Sequence, residues 1–117
     1  MRHKTAGRRL GKTQDYTRAM HRNLVTDLLN HGKITTTESR AKKVKPLAEK
    51  MITLGKEGSL QSRRQALAFI FDEKVTDKLF AELGQKYAQR AGGYTRIVKL
   101  GLRVGDGAQA VRLELVE

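Results

Sequence analysis

Residues 94–117, YTRIVKLGLRVGDGAQAVRLELVE, decide the fold class. In 110–117, Val111, Leu113 and Leu115 alternate with Arg112 and Glu114, the period-two pattern of a strand with one buried face. In 94–104 the same alternation sets Val98, Leu100, Leu102 and Val104 on one face, with Lys99 and Arg103 on the other. The stretch GDGAQ between them supplies the glycines a tight connection uses, so the two segments are expected to form a β-hairpin.

Upstream of the hairpin the pattern is mainly helical. Val75, Leu79, Leu83 and Tyr87 recur every four residues behind Asp72, a good helix cap, with Gly84 expected to end that helix early. A helix from about Ser59 to Phe71 is expected to turn Leu60, Leu67 and Ile70 inward and Arg63 and Arg64 outward. Before it, a helix over about 37–56 carries Ala41, Val44, Leu47, Ala48, Met51 and Ile52 on one stripe. Pro46 lies on its opposite face, where loss of one hydrogen bond kinks a helix rather than abolishing it. KITTT, 33–37, is β-branched and predicts a short strand, and Thr35 with Glu38 has capping-box spacing. The first helix is expected from Asp15 to His31, with Met20, Leu24 and Leu28 inward and Gly32 as the terminating glycine. The sum is α+β: four or five helices packed on one face of a small mixed three-stranded sheet that ends in the hairpin. Residues 15–117 form a single domain, preceded by a basic extended arm over 1–14.

Charge narrows the function. Twenty-four Lys and Arg against 12 Asp and Glu give a net charge of +12, which implies a polyanionic partner. No stretch approaches the ~18–20 apolar residues of a membrane span, and no apolar segment follows the basic start as a secretory signal requires. The absence of cysteine excludes disulfides and thiolate metal sites and fits a reducing cytosol. With 5% aromatic residues and no Trp, extensive base stacking cannot be the main binding mode. The cations are uneven: residues 1–50 hold 13 Lys and Arg against four acids, and residues 51–117 hold 11 against eight.

Three groups of candidate nucleic-acid-binding residues emerge. The arm MRHKTAGRRLGKTQ has five cations, no acid and two glycines, too little apolar surface to fold alone, and is expected to order on a polyanion. The second helix presents Arg40, Lys42, Lys43 and Lys45. The segment QRAGGYTR, 89–96, combines backbone freedom at Gly92 and Gly93 with Tyr94 as a stacking ring flanked by Arg90 and Arg96. Enzyme readings fare poorly. AGRRLGKT, Ala6–Thr13, lacks the first glycine of a phosphate loop and has no strand before it. His3, His21 and His31 have no metal-ligand spacing, though His3 could donate to a phosphate. Asp72, Glu73 and Asp77 lie beside Lys74 and Lys78, which predicts surface ion pairing, not the carboxylate cluster of a nuclease. A free nucleic-acid chaperone or a DNA-binding protein stays open as an alternative. Against a helix-turn-helix reader, the cations of the first helix sit mainly in its first half.

The opening MRH…GRRLGK, the signature HGKITTTESRAK, the segment RAGGYTRI and the closing LELVE together resemble the seventeenth-protein family of the bacterial large ribosomal subunit. The likeness covers nearly the whole chain in order. Gly11 to Asp15 departs from the family's more usual Asn, Arg and Ser, and Asp15 adds a negative charge there. The resemblance implies a non-catalytic constituent of the cytoplasmic ribosome, without cofactor, metal or small-molecule substrate. It would bind large-subunit ribosomal RNA beside neighbouring ribosomal proteins near the outer rim of the peptide exit tunnel. It implies RNA contacts for Arg2, His3, Lys4, Arg8, Arg9 and Lys12 of the arm, and for Arg18, Arg22, Lys42, Arg90, Tyr94 and Arg96. Lys43, from the cation group of the second helix, joins them as a candidate.

Overall fold

The computed structural model describes the backbone of residues 2–117 and the side chains of residues 15–117. Its elements are α1 (Arg2–His31), β1 (Lys33–Thr37), α2 (Glu38–Glu57), α3 (Leu60–Ile70), α4 (Glu73–Lys78), a π turn (Leu79–Leu83), α5 (Gly84–Lys86), β2 (Thr95–Leu102) and β3 (Gln109–Leu115). α1 starts upstream of the expected Asp15. The arm expected over 1–14, with Arg2, His3, Lys4, Arg8, Arg9 and Lys12, falls outside the residues described with side chains.

The fold is α+β, as the hairpin pattern requires, but the sheet is wholly antiparallel rather than mixed. β3 lies between β1 and β2 and runs against both. An antiparallel sheet can cover one face and leave the other in water, and the register shows which is which. Ile34, Leu113 and Ile97 form one cross-strand row and Thr36, Val111 and Lys99 the next, on the face that meets the helices. Lys33, Glu114 and Arg96, then Thr35, Arg112 and Val98, form rows on the open face.

This register corrects the expected face of β2. Pairing with Val111 and Leu113 turns Ile97 inward and Val98 outward, and a register shift between Lys99 and Gly101 then ends the alternation. Gly101 takes φ 111°, a value that suits glycine. Leu100, Leu102 and Val104 are consequently exposed.

The helices meet the sheet through the stripe expected for α2: Ala41, Val44, Ala48, Met51 and Ile52 are all buried, joined by Val25, Leu28 and Leu29 of α1. Pro46 stays inside the helix on its exposed side. The N-cap is Thr37, whose hydroxyl accepts from the Arg40 amide at 3.4 Å. Thr35 does not cap, because β1 holds it opposite Arg112. In α3 the inward stripe is Ser62, Ala66 and Ile70, while Leu60 and Leu67 face outward, against expectation. Small residues at i, i+4 let this helix pack closely, so shape overrides side-chain hydrophobicity.

The spacing of four at Val75, Leu79, Leu83 and Tyr87 is borne out, since all four are buried. Strict fours drift around an α-helix with 3.6 residues per turn, and the wider π turn at Leu79–Leu83 takes up that drift. Gly84 does not end the helix. A Cβ there would meet the Gly55 carbonyl oxygen at 2.5 Å and its carbon at 2.8 Å, so α2 and α5 cross backbone to backbone at two glycines.

Candidate nucleic-acid interface

Two faces of the domain gather cations. The first is made by α1 and α2. Arg18, Arg40 and Lys43 are exposed, and His21 is partly buried among them. Burial lowers the His21 pKa, and the charges of Lys43 and then Arg40 lower it further, so the imidazole is neutral near pH 7. The same influence shows that cations from α2 reach the side of α1. Arg22 is half-buried, its guanidinium carbon 5.4 Å from the Phe69 ring centre and 4.7 Å from that of Phe71. Lys42 pairs with Glu38 one turn earlier at 3.0 Å, and hydrogen bonding by Lys42, with its charge second, holds the Glu38 carboxyl below its ordinary range. Lys42 is therefore a less available cation than Lys43. Between the start of α2 and the hairpin turn lies an open cleft lined by residues 37–40 with Glu38 among them, Lys42, Ala108 and Gln109.

The second face is the open side of the sheet. Arg96 on β2 and Arg112 on β3 both hold Glu114, with Nε to Oε1 at 2.6 Å and Nε to Oε2 at 3.1 Å. The Arg96 hydrogen bond is the main reason the Glu114 carboxyl titrates below its usual range. Lys33 on β1 completes the row. Three cations against one carboxylate leave this face positive. Lys33 and Arg112 do not stand out as binding residues in the sequence. Arg112 is visible there as an outward residue of β3, but only the pairing of β1 with β3 brings Lys33 to Arg96.

The 89–96 segment divides. Arg90 is exposed, with its Nε donating to the Gly92 carbonyl at 3.2 Å. Tyr94 is 2% exposed, so its ring is not a stacking platform. The ring packs against Tyr87 at 5.3 Å between centres and its hydroxyl accepts from Lys56 Nζ at 2.8 Å. Lys56 Nζ also donates to the Arg90 carbonyl. Lys56, which no sequence motif marks, is thus a strap that fastens the loop to the end of α2. Glu49 fastens the other side, accepting from the Thr95 hydroxyl at 2.8 Å and its amide at 3.3 Å.

Among the described residues, no three His, Asp or Glu side chains gather as a metal site would need, and no helix is long and apolar enough to cross a membrane. What the described residues offer is open, cationic surface.

Comparison with known proteins places the chain in a family. The family model described as "Ribosomal protein L17" matches residues 20–116. The large ribosomal subunit protein bL17 of Moorella thermoacetica is 62% identical over 111 residues, 95% of this chain and 99% of that protein. Its counterpart in Thermoanaerobacter sp. strain X514 is 63% identical over 109 residues, 93% of this chain and 97% of that protein. The Geotalea daltonii protein of the same name is 57% identical over all 117 residues, which span 65% of its own length. With identity this high along almost the entire fold, the chain belongs to the ribosomal protein L17 family.

Proposed function

We propose that this chain is a structural, non-catalytic constituent of the large ribosomal subunit that binds its ribosomal RNA through two cationic faces and an N-terminal arm. The observation that carries the reading is the distribution of a +12 charge. Arg18, Arg22, Arg40 and Lys43 line the first face; Lys33, Arg96 and Arg112 line the second; Arg90 stands on the loop beside it. Arg2, His3, Lys4, Arg8, Arg9 and Lys12 add six candidate contacts read from the sequence of the arm, and Lys42 contributes once phosphate competes with Glu38. A-form RNA hides its bases in a deep, narrow groove, so cationic faces of this kind contact phosphates and 2′-hydroxyls and recognise shape. The family resemblance adds the cytoplasmic ribosome as location, with neighbouring ribosomal proteins near the rim of the peptide exit tunnel.

Neutralising roughly 6–10 phosphates makes affinity fall about 10³–10⁵-fold between ~50 and ~200 mM salt. A titration of the full chain against large-subunit ribosomal RNA across that range tests the reading. Affinity that hardly changes with salt refutes it.

A further inference from the structure

The contact between Arg22 and two phenylalanines starts at Phe69, which packs against the core, and ends at Phe71 on the surface. Phe71 follows α3 at φ 64°, the sole non-glycine residue with positive φ among the described residues. Helix ends of this kind normally carry glycine, because a side chain there is strained. Phe71 instead places a ring in solvent: the residue is 67% exposed although it is large and apolar. One side of that ring is backed by the Arg22 guanidinium at 4.7 Å, and Arg22 is itself propped on Phe69. The extent of exposure leaves the opposite side of the ring open. Beneath, the Nε of Arg22 is buried with no hydrogen-bond partner among the described residues, an arrangement that costs free energy.

We infer that Phe71 and Arg22 form a nucleotide-binding platform on which one unstacked base of the ribosomal RNA lies against the Phe71 ring. The phosphate beside that base meets the half-buried Arg22 guanidinium, with the exposed Arg18 one helical turn away on α1 adding charge. An aromatic ring stacked on a guanidinium is already held flat, so little ordering remains when a base arrives. A base splayed from a loop or bulge is the part of RNA that such a ring can take, because paired bases are covered by their neighbours. The strained backbone and the exposed ring then have one explanation: position 71 gives up the glycine its geometry favours in order to present an aromatic surface.

This inference rests on the RNA binding proposed for the two cationic faces, and the test separates the two. Phe71→Gly removes the ring while relaxing the positive φ, so its Tm is expected to hold or rise. Binding of full-length large-subunit ribosomal RNA to the full chain is measured for wild type, Phe71→Gly and Phe71→Tyr over a series of salt concentrations. Loss of one stacked base is expected to weaken Phe71→Gly roughly 5- to 150-fold. Its salt slope should match wild type, since no phosphate contact is removed by the substitution itself, and Phe71→Tyr should bind as wild type does. Ultraviolet crosslinking of the wild-type complex should leave a nucleotide on the peptide that contains Phe71. If Phe71→Gly binds RNA as wild type does, the platform is refuted and the cationic faces stand. If it binds RNA normally but enters large-subunit particles poorly, Phe71 meets a protein and the inference is likewise overturned. If wild type itself shows no salt-dependent RNA binding, both readings fail together.

Discussion

Replacing Gly84 with alanine should destabilise the domain, although in an ordinary helix that exchange stabilises. An added Cβ would lie 2.5 Å from the Gly55 carbonyl oxygen, 2.8 Å from its carbon and 3.3 Å from the Lys56 nitrogen. All three neighbours are backbone atoms, so no side chain can swing aside, and α2 must withdraw from α5 by most of an ångström. Inserting a carbon into a packed contact costs about 1–3 kcal/mol, with rigid neighbours at the upper end. The better helix propensity of alanine returns roughly 0.5–1 kcal/mol. The net loss is about 1–2 kcal/mol, which for a domain near 100 residues lowers Tm by roughly 5–15 °C. Withdrawal of α2 also carries Lys56 away from the Arg90 carbonyl and the Tyr94 hydroxyl, loosening the 88–94 loop. Thermal melts followed by circular dichroism, with Gly92→Ala as control, measure the effect. At Gly92 a Cβ meets nothing within 4 Å, so that variant should melt near wild type. A Gly84→Ala protein as stable as wild type, or more so, would refute the backbone crossing.

The His21 pKa is lowered in the folded chain, so its stabilising contribution is complete above the ordinary value of 6.5 and is lost as pH falls from there through the folded value. His21→Gln should therefore flatten the dependence of Tm on pH below that point, and an unchanged dependence would show that another group governs it. Arg96→Gln should cost under about 1 kcal/mol of stability, as exposed pairs do, while weakening RNA binding. Arg96→Glu should cost more than Arg96→Gln because it sets a carboxylate opposite Glu114 in the strand register, and equal melting of the two variants would argue against that pairing. Deleting residues 1–13 should lower RNA affinity and reduce the salt slope by about one for each phosphate no longer neutralised. Among the described residues the buried core begins at Val25, with Leu24 packed against it, so the unfolding transition should persist; collapse of that transition would make the arm part of the fold.

The parts of the fold legible in the sequence are those where one-dimensional periodicity is also the three-dimensional cause. Ala41 to Ile52 and Val75 to Tyr87 repeat at helical spacing and are buried for that reason. Val111 and Leu113 alternate because β3 is the central strand, covered on one face along its whole length. The inward face of β2 is not legible in this way because β2 is an edge strand. Its parity is set by pairing to β3, and its apolar residues past Lys99 lie beyond the bulge, where alternation no longer tracks burial. In α3, hydrophobicity points to the larger Leu60 and Leu67 as the buried side, whereas the close approach of its neighbours selects Ser62 and Ala66.

The candidate interface follows the same logic. Counting cations points to a polyanionic partner, but which cations are available depends on where the acids go. Glu38 takes Lys42, Glu114 takes Arg96 and Arg112, Asp77 takes Arg63, and Asp106 takes Arg103 in the hairpin turn. Asp72 turns its carboxylate to the amides of Lys74 and Val75, and Glu49 to Thr95. Each acid in this set holds a helix start, a turn, a strand row or a helix contact, so these acids serve the fold from within or along its seams. Across the rows of the sheet and between α1 and α2 the cations named above outnumber them, and those places require long-range register to see. Tyr94 makes the same point from the other side. A tyrosine between arginines looks like a stacking ring in sequence, yet Lys56, 38 residues earlier, binds its hydroxyl and closes it into the core. Phe71 is by contrast left in solvent, as Tyr16 is, and it stands at a helix end where sequence pattern alone would ask for glycine.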